Sequence, residues 1–126
     1  KWTPGGIALG PKPRSYRVNL NKSVKRAALF SALSAKVEAG EMIVVDAITA
    51  TEYKTKDMVK MLAAVGAAKK ALIVLPEVNG FVVKSCSNIP GVVTTLSSTL
   101  NVYEVLNAEK VIISRAAVEK LEEVYA

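Results

Sequence analysis

The sequence predicts an α/β fold: an open, mostly parallel four-stranded sheet with helices on both faces, preceded by an extended basic arm. Two observations support it. Short runs of Val, Ile and Leu alternate with amphipathic stretches of helical period, and strands that are apolar throughout are typical of parallel sheets covered on both faces. Ahead of them, Gly and Pro are spaced too closely for a helix or a long strand. Right-handed crossovers between such strands would make the sheet Rossmann-like.

The chain divides at about residue 20. Its 126 residues suffice for one domain that buries roughly two-thirds of its unfolded surface. Gly5-Gly6, Gly10-Pro11 and Pro13 interrupt the first segment. We therefore predict an extended basic arm over residues 1–20 and an α/β globular domain over residues 21–126.

The elements of the domain follow from periodicity and from helix-capping residues. The predicted strands are residues 42–45, 72–75, 92–96 and 111–113, and we expect the first of them, an apolar run, to be buried. Asn21 or Ser23 caps the first helix, Thr55 the second, and Ser114 the last, while Asn101 starts a short helix. The first helix ends at Gly40, and its apolar stripe consists of Val24, Ala28, Leu29, Ala32, Leu33 and Val37.

One stretch allows two interpretations. Asn79-Gly80 lies between the apolar run 72–75 and the run 81–83, and Asn-Gly in that position is a strong indication of a β-hairpin. The same residues could instead open a helix from about residue 78 to residue 86.

The excess positive charge is confined to the first 37 residues. They contain eight Lys or Arg and no Asp or Glu, whereas the remainder has nine basic and eleven acidic residues. A solvated helix face normally mixes both signs, so a segment of one sign indicates a partner of the other sign. A polyphosphate fits best; an ordinary solvated basic face is the alternative.

The residue types among these cations favour RNA. Pro11 and Pro13 stiffen the arm, Arg presents a planar fork that matches phosphate, and Trp2 and Tyr16 can stack on unpaired bases. Cations on one face of the first helix continue the charge. The candidate RNA-binding residues are Lys1, Trp2, Lys12, Arg14, Tyr16, Arg17, Lys22, Lys25, Arg26 and Lys36.

Enzymatic chemistry has little support in the sequence. No histidine is present, which removes His general bases, His-metal sites and Ser-His-Asp triads. Lone Cys86 rules out an internal disulfide, and we expect it to be a small buried side chain. The spacing of Gly5 and Gly10 is not a phosphate loop, because Pro11 occupies the position of the essential Lys. We predict no enzymatic activity, no metal and no cofactor.

No membrane or export segment is apparent. No apolar run approaches the roughly 20 residues that span a bilayer, and no signal-peptide pattern is present. We expect a soluble protein of a reduced, cytoplasmic compartment. Because the chain opens on Lys rather than Met, we also expect a fragment or a processed product.

A second class of function stays open. Asp46 ends the first predicted strand and Glu77 follows the second, and open α/β sheets often place ligand groups at these carboxyl ends. Such residues could serve a small nucleotide- or metabolite-binding domain. Otherwise they cap the next element or face water.

The sequence also resembles a known family. Residues 2–16 are similar to the Trp-x-x-Gly-Gly…Gly-Pro-x-Pro-Arg-x-Tyr segment of the bacterial ribosomal protein L-four family, the universal large-subunit L-four proteins. The match continues in register over essentially the whole chain, through residues 26–29, 31–34, 54–56, 72–74, 87–92 and 100–107.

The resemblance implies a structural protein of the large ribosomal subunit that binds rRNA early in assembly and contacts neighbouring large-subunit proteins. In intact members, a long loop of the α/β domain reaches the peptide exit tunnel. By register, residues 1–13 resemble the returning limb of that loop, and the family's N-terminal helix and most of the loop are absent here. Some members repress their operon by binding their own mRNA leader, which the resemblance leaves open for this chain.

Two further expectations depend on this resemblance. It favours the helix over the hairpin at residues 78–86. It also adds Lys54 and Lys56, at the matching start of the second helix, to the candidate RNA-binding residues.

Overall fold

The structure is a computed structural model that describes residues 4–67 and 69–125, so the predictions for Lys1 and Trp2 lie outside the described residues. Five helices and four strands alternate after the arm. In chain order they are α1 (Lys22–Glu38), β1 (Met42–Val45), α2 (Thr55–Val65), β2 (Ala71–Leu75), α3 (Gly80–Ser87), β3 (Val92–Leu96), α4 (Val102–Asn107), β4 (Lys110–Ser114) and α5 (Arg115–Tyr125), with a short 3-10 turn at Ser97–Thr99.

The four strands form one parallel sheet in the order β1-β4-β2-β3, which confirms the predicted fold class. The chain moves across the sheet in one direction from β1 to β2 to β3 and then reverses to reach β4. Right-handed crossovers therefore put α2 and α3 on one face and α4 on the other. The packing agrees, because α1, α4 and α5 cover one face and α2 and α3 cover the opposite face.

The core has two layers because side chains alternate along each strand. In the central strand β2, Leu72 and Val74 pack under α1, α4 and α5, whereas Ile73 and Leu75 pack under α2 and α3. Cys86 lies in the second layer and is buried, as the sequence predicts, and this burial raises the pKa of its thiol.

The expectation of a fully buried first strand is wrong. Val44 is 58 % exposed, because β1 is an edge strand that pairs only with β4. The apolar stripe of α1 is also buried only at its centre. Leu29 and Ala32 are in the core, but Val24 and Val37, near the two ends of the helix, are largely exposed.

The helix predicted at residues 78–86 is confirmed, and the hairpin interpretation is wrong. The Asn79 side chain accepts a hydrogen bond from the Phe81 N–H at 3.1 Å and so caps α3. A two-residue Asn-Gly hairpin turn needs positive φ at both residues. Asn79 has φ −117°, and Gly80 is not among the positive-φ glycines of the described residues.

Of the other predicted helix caps, two are confirmed and two are wrong. The Asn101 side chain accepts from the Glu104 N–H at 2.9 Å, and Ser114 Oγ accepts from the Ala117 N–H at 3.3 Å, as expected. Thr55 is not a cap, because it is already the first helical residue of α2. Neither Asn21 nor Ser23 caps α1: Asn21 holds the cap position, but its side chain makes no capping bond.

Candidate nucleic-acid interface

The arm presents its side chains to solvent. Residues 4–20 contain neither helix nor strand, and all of them are exposed except the half-buried Gly10. Even apolar members such as Ile7, Leu9 and Val18 are at least 78 % exposed. Apolar side chains that stay in water do not stabilise the folded chain. This segment is therefore suited to contact with a partner outside the described chain.

Arg14 and Tyr16 form a pair within the arm. The guanidinium carbon of Arg14 lies 4.6 Å from the centroid of the Tyr16 ring, within the range of a cation–π contact. The Arg17 N–H donates to Ser15 Oγ at 3.3 Å. The guanidinium therefore lies over one face of the exposed Tyr16 ring, so the other face can stack on a base while Arg14 donates to a phosphate.

Three further cations lie on the first two turns of α1. Lys22, Lys25 and Arg26 are all exposed, and no acidic residue occupies the first turn. The N-terminal end of a helix carries partial positive charge, so cations there disfavour the isolated helix while an anion would be stabilised. This charge placement opposes local stability and is suited to binding a polyanion.

We call the arm and α1 cations, with Tyr16, the basic surface. Its members are Lys12, Arg14, Tyr16, Arg17, Lys22, Lys25 and Arg26. Four residues lie between Arg17 and Lys22, so their Cα atoms are at most about 18 Å apart when the chain is fully extended. Four ion pairs form among the described residues, and none involves the basic surface. Its charges therefore have no acidic partner in the described part of the chain.

Lys36, predicted as an RNA contact, does not belong to this surface. It is 9 % exposed, and its Nζ donates to Glu41 Oε2 at 2.5 Å and to the Ala108 carbonyl oxygen at 2.6 Å. The ammonium thus joins the end of α1 to the segments that precede β1 and β4. Because its donors are used inside the domain, the structure indicates a structural role for Lys36, and its RNA contact stays a prediction.

Lys54 and Lys56 lie elsewhere as well. They are at the start of α2, which packs on the opposite face of the sheet from α1. Lys54 pairs with Glu52 at 2.6 Å, and both Lys54 and Lys56 are exposed. The structure does not bring these two residues together with the basic surface.

A solvent-exposed ion pair lies at the carboxyl ends of the strands. Lys120 of α5 donates to the Pro76 carbonyl oxygen at 3.1 Å and to Glu77 Oε1 at 2.9 Å. The hydrogen bond and charge of Lys120 lower the pKa of the Glu77 carboxyl. The helices that follow the neighbouring strands β2 and β4 pack on opposite faces of the sheet. Open α/β sheets bind ligands in the crevice that forms at such a point. In this chain, the bonds of Lys120 to Pro76 and Glu77 span the crevice.

Asp46 does not join Glu77. It follows the edge strand β1, which β4 separates from β2, and it is exposed. Within residues 4–67 and 69–125, no group of three or more His, Cys, Asp or Glu side chains is placed to hold a metal ion. Over the same residues, no helix combines the length and apolarity needed to cross a bilayer.

A pocket beside α1 was not anticipated from the sequence. It has a volume of about 430 Å³, and the cations of α1 stand next to apolar side chains at its walls. Leu100, Val102 and Tyr125 line it together with Leu29. Sequence patterns could not find it, because its walls come from segments about 100 residues apart that meet only in the folded sheet.

The fold and the surface define a small α/β protein with a strongly basic face that its own acids do not neutralise. Comparison of the sequence with known families identifies it further: the Ribosomal protein L4/L1 family matches residues 1–124, and the chain belongs to that family. This confirms the resemblance in the sequence.

Three relatives illustrate the match. The chain is 50 % identical over 125 residues to Large ribosomal subunit protein uL4 of Alkaliphilus metalliredigens, covering 99 % of this chain and 60 % of the relative. It is 50 % identical over 126 residues to that of Ruminiclostridium cellulolyticum, covering 100 % and 61 %. It is 47 % identical to uL4 of Clostridium beijerinckii, and that match also covers 100 % of this chain and 61 % of the relative. The chain therefore spans about 60 % of the length of these relatives.

Proposed function

We propose that this chain is part of a structural constituent of the large ribosomal subunit and binds large-subunit rRNA through the basic surface. One observation carries the proposal. The cations of residues 12–26 are exposed and make no ion pair with any acid among the described residues. Family membership makes rRNA, with neighbouring large-subunit proteins, the fitting partner in the cytoplasmic ribosome.

Binding would rest mainly on phosphate contacts. The six cations of the basic surface lie within 15 consecutive residues, and Arg14 is paired with an aromatic ring. If about five of them neutralise phosphates, log K should fall with log salt with a slope of roughly −3.5 to −4.5. Phosphate contacts fix position rather than read sequence, so specificity would come from RNA shape and from unpaired bases.

We assign different tasks to the two parts of the chain. Residues 21–126 form the α/β platform, and residues 1–20 form an extended limb that becomes ordered against RNA. In the intact protein, we propose that this limb belongs to a loop that helps line the peptide exit tunnel. Two features support this: residues 2–16 resemble the returning limb of that loop, and the described arm residues are almost entirely exposed.

Binding to the protein's own mRNA leader would use the same surface, because it offers phosphate donors without sequence-specific geometry. A leader transcript should then compete with rRNA for one site, and the competition should disappear in variants of the basic surface. Simultaneous binding of both RNAs would contradict a shared site.

The alternative of a small nucleotide- or metabolite-binding domain has weaker support. Its candidate acids, Asp46 and Glu77, are on non-adjacent strands, and Lys120 already engages Glu77 and Pro76 across the crevice. A rise in melting temperature with ATP or NAD that is lost on Asp46→Ala or Glu77→Ala would favour this alternative.

Site-directed photocrosslinking tests the rRNA proposal. A benzophenone side chain is placed at position 17 or 26 and, as a control, at position 60 or 84, which carry exposed lysines on α2 and α3. Each protein is mixed with deproteinised large-subunit rRNA and irradiated. We expect crosslinks from positions 17 and 26 that map to the same rRNA segments, and few from positions 60 and 84. Equal yields from all four positions would contradict the proposed surface.

A further inference from the structure

The pocket beside α1 combines an apolar interior with a cationic edge. Leu29 and Leu100 are 4 % and 6 % exposed and form its interior with the half-buried Val102. Tyr125 provides an aromatic wall. Its volume of about 430 Å³ lies within the range of roughly 300–1,000 Å³ that is usual for small-ligand sites.

The aromatic wall is held in place from two sides. The Tyr125 ring packs edge-on against Phe30, with centroids 5.8 Å apart and an interplanar angle of 82°. The Arg26 guanidinium carbon lies 5.9 Å from the Tyr125 centroid. Because the ring is already positioned, little conformational freedom would be lost when a ligand packs against it.

The charges at the edge select the class of ligand. Lys22, Lys25 and Arg26 border the pocket, and no carboxylate is among the residues that line it. Asn101 adds a donor, because its side-chain oxygen is engaged by the Glu104 N–H and its NH₂ group remains for a ligand. An apolar peptide segment would use the interior but gain nothing from three cations, whereas a nucleotide has a flat base for the interior and a phosphate for the edge.

We infer that this pocket receives one unpaired nucleobase of the bound RNA, with the flanking phosphates on Lys22, Lys25 and Arg26. The inference rests on the proposed function and deepens it. The basic surface would supply general affinity for phosphate, and the pocket would restrict binding to RNA that can extrude a base at that point. It would thus give shape selectivity to a surface whose other contacts are mainly electrostatic.

Methyl NMR on the 126-residue chain tests the pocket directly. The probes are AMP and CMP in the millimolar range, and ribose 5-phosphate is the control because it carries the same phosphate without a base. We expect saturable shifts of the methyl groups of Leu29, Leu100 and Val102 with both nucleotides and not with ribose 5-phosphate. Equal shifts with ribose 5-phosphate, or none with any probe, would overturn the inference. So would methyl shifts that depend on protein concentration alone, because a second copy would then occupy the pocket.

A variant measures the contribution of the pocket to RNA binding. Tyr125→Leu removes the aromatic wall and keeps an apolar side chain, while Tyr103→Leu is the control, since Tyr103 is exposed and lies outside this pocket. Base–aromatic contacts contribute about 1–3 kcal/mol per base, so Tyr125→Leu should weaken rRNA binding roughly tenfold at every salt concentration with an unchanged salt slope. Equal affinities for the two variants would contradict base insertion.

The two proposals can fail separately. If removing the cations abolishes the salt dependence of rRNA affinity but nucleotides cause no methyl shifts, the rRNA-binding proposal is supported and the nucleobase pocket is contradicted. Specific methyl shifts in a chain that does not bind rRNA would retain a nucleotide pocket and contradict the ribosomal RNA assignment.

Discussion

Replacing Lys36 by Met should destabilise the fold and leave RNA binding unchanged. The substitution keeps the aliphatic stem in place but removes the ammonium that joins Glu41 to the Ala108 carbonyl group. A hydrogen bond from a charged donor contributes about 1.5–3 kcal/mol. Glu41 is 38 % exposed at its side chain, so its carboxylate stays partly hydrated and the ion pair itself adds little. We expect a loss of about 2 kcal/mol in the free energy of unfolding.

Thermal and urea unfolding measure this loss. For a chain of this size, about 2 kcal/mol corresponds to a fall in Tm of roughly 6–12 °C. Lys60→Met is the matched control: Lys60 is exposed on α2, and its replacement should change stability by less than about 0.5 kcal/mol. In rRNA titrations, Lys36→Met should show the same salt slope as the parent chain. An unchanged Tm with a shallower slope would refute the structural assignment and make Lys36 an RNA contact.

Two smaller effects test local contacts. Asn79→Ala should cost about 1 kcal/mol in urea unfolding because it removes the capping bond to the Phe81 N–H, whereas Asn21→Ala should cost much less because Asn21 makes no such bond; equal losses would contradict these cap geometries. The pKa of Glu77 is lowered by Lys120, so its ionised form contributes stability above the ordinary carboxyl pKa, and that contribution disappears as pH falls through the lowered value. The Tm difference between the parent chain and Glu77→Gln should therefore shrink on acidification, and a difference that grows at low pH would contradict the ion pair.

The fold was largely predictable because its strands are short runs rich in Val, Ile and Leu that alternate with helical patterns. Burial of β1 was not predictable from that pattern, because strand order decides which strand lies at an edge, and Val44 is exposed there. Asn79-Gly80 shows a similar limit. The dipeptide fits a hairpin turn and a helix start equally well locally, and only packing of α3 on the sheet favours the helix.

For the candidate site, the sequence could identify a segment that carries only positive charges. It could not show which of those cations lack a partner inside the domain. Lys36 belongs to the acid-free segment, yet its partner at Ala108 is 72 positions away and is brought near only by the fold. The pocket walls at Leu29 and Tyr125 are equally remote in sequence. Local composition therefore predicts that the surface is positively charged, while long-range packing decides which residues belong to it.

The salt dependence of rRNA affinity tests most directly whether residues 12–26 form the RNA-binding surface. The parent chain is compared with a triple variant, Arg14→Ala, Arg17→Ala and Arg26→Ala, and with a control that removes equal charge from other helices, Lys60→Ala, Lys84→Ala and Arg115→Ala. For the parent chain, we expect log K to fall with log salt with a slope of roughly −3.5 to −4.5. The arginine triple variant should have a slope that is shallower by about 2 to 3 and a nearly unchanged Tm. The control variant should have a slope close to that of the parent. Equal slopes for the two triple variants would contradict the account.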